Sequence, residues 1–171
     1  MAGASEERRD EIRETLRTAT APMTGAELAS MLGVSRQAIV NDIAVLRASG
    51  APIVGSPSGY LVTDGAGSNA VIACKHGEEH ARAELEILID HGITVVDVVV
   101  EHALYGEVRG NLMIGSRSDV DRYIADLTRE EAAPLSSLTG GVHLHHLRAP
   151  NPDAVAAACR ELGALGILVE G

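Results

Sequence analysis

The chain has 171 residues, enough for one ordinary domain or two small ones, and a net charge of −10. That balance argues against a surface coated with basic patches for nucleic acid, and three Tyr with no Phe or Trp leave no aromatic platform for stacking unpaired bases. Two cysteines, Cys74 and Cys159, exclude a dense disulfide framework, the polar stretch Met1 to Asp10 has no signal-peptide core, and no apolar run is long enough to span a bilayer. Hydrophobic residues make up 46%, which suits a buried core, and the expectation is a soluble cytoplasmic protein with no membrane partner.

Ser5 to about Ala19 reads as a first helix, with Ile12, Leu16 and Ala19 on one face and Pro22 as its stop. Thr24-Gly25-Ala26-Glu27 has capping-box spacing and opens a second helix, whose apolar face is Leu28, Met31 and Leu32. Gly33 suits a left-handed stop, and Ser35 caps a third helix with Ile39, Ile43 and Leu46 on its buried face; Gly50 ends it. Two helices joined by Gly33-Val34-Ser35 have helix-turn-helix spacing. The polar face of the third helix offers Ser35, Arg36, Gln37 and Asn41 near its N-terminal end, side chains that suit base edges and phosphates of double-stranded operator DNA. Asp42 would repel phosphate there, so it is expected to partner an Arg inside the domain. Pro52-Ile53-Val54 and Tyr60-Leu61-Val62 flank a Gly/Ser/Pro tip and read as a hairpin, the wing of a winged helix.

The run Gly25-Ala26-Glu27-Leu28-Ala29, then Val34-Ser35-Arg36-Gln37-Ala38-Ile39, then Asp42-Ile43-Ala44-Val45-Leu46-Arg47 resembles the winged-helix domain of the biotin-operon-repressor type. The resemblance covers roughly residues 5–62 and implies DNA binding. Residues 1–62 are therefore expected to form the DNA-binding domain, the small polar stretch 63–69 a linker, and residues 70–171 a second domain. Residues 1–62 carry six arginines against seven carboxylates, a balance of −1; the remainder carries eight basic against seventeen acidic residues, −9. The acidity belongs almost wholly to the second part, so the whole-chain charge says little about what the first part binds.

In the second part Val71 to Ala73 reads as a strand, Glu78 to Asp90 as a helix, and the β-branched run Thr94 to Val100 as a buried strand. Tyr105-Gly106 turns the chain into a strand from Val108 to Ile114. Ser116 caps a helix to about Arg129. Val142 to Leu147 forms the next strand, Asp153 to Leu162 the last helix, and Ile167 to Val169 a final strand. The series β-α-β-β-α-β followed by α-β is that of a ferredoxin-like sandwich, so the whole chain is expected to be an α+β protein: winged helix-turn-helix, then α/β sandwich.

All seven histidines fall in this part. His143 and His145, two apart on a strand, share a face and make half of a transition-metal site; His146 points the other way. The other half is expected from Cys74 to His80 and the helix after it. His80 and Glu84 are neighbours on a helix, whereas His76 reaches Glu84 only if the chain folds back at Gly77, and the residues leave both open. Cys74 stands near enough to ligate, or serves as a small buried residue at a strand end.

Cys74-Lys75-His76 with Glu84-Leu85, then Val100-Glu101-His102-Ala103-Leu104-Tyr105-Gly106, then Gly140-Gly141-Val142-His143-Leu144-His145 resembles the three-histidine domain found behind such winged helices in niacin-responsive transcriptional repressors of NAD metabolism. The resemblance implies that His76, Glu84, His143 and His145 hold a divalent transition metal such as nickel or zinc, with iron also compatible, that His80 is a supporting or surface residue, and that nicotinic acid is the effector. His102, Tyr105 and Arg109 are candidates for orienting it, Arg109 through the nicotinate carboxylate; alternatively Tyr105 only makes the turn and Arg109 is a solvated strand residue. The function expected is a ligand-dependent repressor acting as a homodimer, not an enzyme: no nucleophile elbow, phosphate-binding glycine loop or acid–base pair accompanies the histidines. A metal-responsive regulator and a metal-dependent enzyme behind a winged helix are the rivals.

Overall fold

The computed structural model describes residues 2–63 and 68–169. It divides into two compact units, Met1–Gly65 and Ala66–Gly171.

In the first unit α1 (Ala2–Thr18), α2 (Gly25–Leu32) and α3 (Arg36–Ala48) precede a hairpin of β1 (Ile53–Ser56) and β2 (Gly59–Val62). Ile12, Leu16, Leu28, Ile39, Ile43, Leu46 and Ile53 form its core, as the helical spacing predicts. Met31 departs from that reading: it is half exposed, and Leu28 and Ala29 carry the buried face of α2. The α1 helix stops at Thr18, short of Ala19, with the Thr18 hydroxyl donating back to the Glu14 carbonyl at 3.0 Å. The capping box closes in both directions: Glu27 N donates to Thr24 Oγ1 at 3.1 Å, and Thr24 N to Glu27 Oε2 at 2.7 Å. Asp42 is buried, 2.5 Å from Arg8 Nε and 3.5 Å from Arg9 Nη1, which is the intradomain pairing expected of it. Tyr60 and Met23 exchange backbone hydrogen bonds at 2.9 and 2.7 Å, tying the wing to the entrance of α2. Gly59 makes this possible: at φ 125°, a Cβ there would stand 2.5 Å from the Met23 carbonyl.

The second unit contains β3 (Ser68–Lys75), α4 (Ala81–Asp90), β4 (Thr94–His102), β5 (Gly106–Ile114), α5 (Arg117–Arg129), β6 (Val142–Ala149) and α6 (Pro152–Ala164). Short 3₁₀ turns at Glu78–His80 and Leu135–Thr139 precede α4 and β6. Ser68 and Asn69, read as linker, belong to β3 and pair with Ala149 and Arg148; residues 64–67 of that expected linker lie outside the described residues. The four strands form one antiparallel sheet in the order β3-β6-β4-β5. Through α6 the element series is the expected one, and within it the last strand, β6, runs through the interior of the sheet. The expected final strand at Ile167–Val169 reduces to a single bridge, Leu168 to Cys74, because the three residues after the α6 turn meet β3 only at its end.

Ile72, Cys74, Val95, Leu112, Ile114, Leu147 and Ala149 face one helical layer, where Leu85 and Leu88 of α4, Val120 of α5, and Ala158 and Leu162 of α6 complete the core. Burial alternates along β6: His143, His145, Leu147 and Ala149 turn inward, and Leu144, His146 and Arg148 turn to the opposite face. Two imidazoles therefore point into an apolar layer.

Candidate metal centre and nucleic-acid interface

Gly77 and the 3₁₀ turn after it fold the chain back, so that His76, standing before the turn, meets Glu84 on the first turn of α4. His76 Nε2 lies 2.7 Å from Glu84 Oε2, and His143 Nε2 and His145 Nε2 lie 3.3 and 3.4 Å from Glu84 Oε1. His80 points away, with Nδ1 3.0 Å from Glu79 Oε1 and the ring half exposed. Between the two candidates left open by spacing, His76 is the one brought to Glu84.

The tautomers follow from the backbone. His76 Nδ1 stands 2.8 Å from the Gly77 carbonyl, His143 Nδ1 2.8 Å from the Gly141 carbonyl, and His145 Nδ1 2.5 Å from the Asp97 carbonyl. A carbonyl only accepts, so all three Nδ1 atoms carry the proton. The three Nε2 atoms then present lone pairs to a carboxylate that also offers only lone pairs. Such an arrangement repels itself unless positive charge lies between its members, supplied by protons or by a cation. The donor set of three imidazoles and one carboxylate fits a divalent transition ion. Cys74 Sγ, Glu84 and His143 also offer ligand atoms within 4.8 Å of one another, all buried.

The electrostatics agree. Burial alone would raise the Glu84 carboxyl, but hydrogen bonds from His143, His145 and His76 outweigh it and hold the group well below the carboxylate range. Burial would lower His76 and His145, and the Glu84 hydrogen bond and charge reverse the direction, raising both. Burial, then the Glu84 charge, push the Cys74 thiol far up. Without a cation these shifts favour the protonated forms of His76 and His145.

The cluster itself lines a cavity of about 30 Å³ whose other walls include Leu85, Val98, Leu112, Tyr123, Leu135 and Ser136. Tyr123 and Ser136 were not singled out in the sequence. Tyr123 reads there as part of the apolar face of α5, and Ser136 sits in a turn with no periodic pattern. The effector candidates stand elsewhere. His102 and Tyr105 stack at 5.0 Å between ring centroids in the β4–β5 turn, where Tyr105 is exposed and His102 Nδ1 accepts from Leu104 N. Arg109 lies on the outer sheet face, across the sheet from the histidines, with Nη1 2.9 Å from Asp97 Oδ2. It is thus a paired strand residue, and the structure does not bring it to the cluster.

Residues 69–171 match the 3H domain family, and residues 8–61 match a family of HTH domains. The chain is 40% identical over 168 residues to the transcription repressor NadR of Bacillus subtilis (strain 168), covering 95% of this chain and 93% of that protein. It is 39% identical over 171 residues to the probable transcription repressor NiaR of Thermotoga maritima, covering 99% and 98%. The chain belongs to the 3H-domain transcription repressors. It is accordingly a regulator and not an enzyme.

The residues expected from the sequence to contact DNA lie at the cap and start of α3 and on its second turn. Ser35, Arg36, Gln37 and Asn41 are all exposed. Ser35 spends its hydroxyl on the helix cap, accepting from Ala38 N at 3.1 Å, and Gln37 Nε2 donates to Asn41 Oδ1 at 3.0 Å. Arg36 lines a cleft with Thr24, Gly25, Ser56, Pro57 and Tyr60, between the α2 entrance and the wing. Among the described residues no carboxylate pairs with it. No helix of the described residues is long and apolar enough to cross a membrane.

Proposed function

We propose that this 3H-domain repressor binds operator DNA of NAD-biosynthesis or niacin-uptake genes in the cytoplasm, as a homodimer, with nicotinic acid as co-repressor at or near a transition metal held by His76, Glu84, His143 and His145. Residues 1–62 read the DNA, and residues 70–171 hold the ion and the effector. The observation that carries this reading is the convergence of three histidines, each with Nδ1 against a backbone carbonyl, on one buried carboxylate. Nickel, zinc and iron all suit imidazole and carboxylate ligands. A bound ion would supply open coordination positions for a carboxylate or a pyridine nitrogen. The chain's own residues orient the imidazoles through backbone carbonyls and wall one side of the site with Leu85, Val98 and Leu112.

Nicotinic acid shifts the DNA-binding equilibrium only by its differential affinity for the DNA-competent arrangement, and operator DNA then tightens nicotinic acid binding by the same factor. Mobility shift on the promoter of an NAD-synthesis or niacin-transport operon, with and without nicotinic acid, tests the assignment; identical shifts would sink it. A second reading, in which the ion itself is the signal, is favoured by the cavity, whose roughly 30 Å³ suits an ion with its water better than a pyridine ring. DNA binding that follows added metal and ignores nicotinic acid would select it.

A further inference from the structure

Asp97 stands in the run Thr94-Val95-Val96-Asp97-Val98-Val99-Val100, flanked on both sides by valines, and its side chain is fully buried. A carboxylate in such a place is costly unless its charge and lone pairs are matched. Its surroundings match them in an unusual way. The β4–β6 ladder is regular at Val95–Leu147, then slips, and resumes at Val99–Leu144; the β4–β5 ladder is irregular at the same place. Asp97 sits in this bulge. Its side-chain Oδ1 accepts from His146 N at 3.1 Å, a donor that a regular ladder would give to a main-chain carbonyl, and lies 2.8 Å from His146 Nδ1. Its other oxygen is neutralised by Arg109 Nη1 at 2.9 Å, close in charge but not aligned as a hydrogen bond.

The exchange frees the Asp97 main-chain carbonyl, and that carbonyl accepts from His145 Nδ1. The carboxylate occupies the outer sheet face, while the carbonyl serves a histidine of the inner face. We propose that Asp97 is a positioning residue of the metal centre: by replacing a ladder bond with its carboxylate, it holds the bulge open and fixes the tautomer and aim of His145 toward Glu84. His146 and Arg109 support the centre through Asp97, from the opposite side of the sheet. The inference rests on the proposed metal site and adds residues outside the ligand set. Partners of this kind set metal affinity by about 10–100-fold in other centres.

The test uses the full-length chain loaded with Co²⁺, whose visible spectrum reports ligand geometry, and a competing chelator for affinity. Asp97→Val, which suits a regular strand, is expected to weaken Co²⁺ binding by about 10–100-fold and to change the spectrum. Asp97→Asn, which keeps an oxygen for His146 N, is expected to restore most of the affinity, and Asp97→Ala, which removes both carboxylate oxygens and is expected to lose affinity as the valine variant does, takes its place if the valine variant does not fold. In a His145→Ala background the Asp97→Val loss is expected to vanish, because the residue acts through His145. An unchanged spectrum and affinity in Asp97→Val, or an equal loss with His145 absent, overturns the proposal. Wild-type chain that takes up no Co²⁺ instead overturns the metal reading beneath it.

Discussion

A Cβ added to Gly141 would stand 2.4 Å from the carbonyl oxygen of His76. Gly141 also lies at φ 97°, outside the range that side-chain-bearing residues adopt readily, and its own carbonyl accepts from His143 Nδ1. One backbone position thus lets two of the histidines approach each other. Gly141→Ala is expected to destabilise the second unit by about 1–3 kcal/mol or more. It is also expected to weaken metal binding, because His76 must retreat. Thermal unfolding and metal content measured together check this; a variant with wild-type values for both would contradict it.

Replacing His143 and His145 together by Ala removes two of the four proposed ligands. Elemental analysis is expected to fall from about one ion per chain to background, and the nicotinic acid response of DNA binding to disappear. Glu84→Gln keeps the shape and removes the charge on which three Nε2 atoms converge, so it is expected to weaken the site while leaving secondary structure intact. Unchanged metal content in the double variant would refute the ligand set.

Protons and the proposed metal would compete for the same place, which would give stability a pH dependence of opposite sign in the two forms. His76 and His145 are raised above 6.5 in the metal-free fold, so their contribution is complete below 6.5 and lost as pH rises through the folded values. Glu84 is lowered below 4.5, so its contribution is present above 4.5 and lost as pH falls through the folded value. The stripped second unit is therefore expected to be most stable between 4.5 and 6.5 and less stable in mild alkali. Metal affinity tightens as pH rises, because the ligands must shed protons. Melting curves of chelator-treated and metal-loaded protein at about pH 5.5 and about pH 8 check the crossing; a stripped protein that gains stability toward alkali would exclude it.

Arg36 projects beside the wing with no carboxylate partner among the described residues. Arg36→Ala is expected to cost about 1–3 kcal/mol of operator affinity and to flatten the salt dependence. Metal content and nicotinic acid binding are expected to stay at wild-type values. Equal losses in all three would point to misfolding of the variant.

What could be read from the chain divides by distance along it. Caps act within three or four residues, so Thr24 with Glu27, Gly33, Ser35 and Ser116 were legible, and each closes as the sequence implies. Strand alternation put His143 and His145 on one face without further information. The choice between His76 and His80 was not available from spacing, because it depends on how the chain turns at Gly77. Asp97 and Tyr123 were invisible for a related reason: each acquires its meaning from a partner strand or helix many residues away. The continuous β-branched run that marks a buried strand also hid Asp97, since one polar residue among valines reads as an interruption and the bulge that uses it is a property of two ladders. Arg109 shows the converse, a charged residue that suits a ligand in sequence and is committed to Asp97 in the fold.

The four candidate ligands come from three separate places: the residue after β3, the first turn of α4 and the start of β6. Glu84 and His143 are 59 residues apart in sequence. An ion held between them closes a loop of that length, as a disulfide would, and restricts the unfolded chain accordingly. The two cysteines of the chain are both free, so it has no covalent staple of its own. The centre would then serve as a removable cross-link, one that a chelator or a drop in pH can open and that remains usable in a reducing compartment.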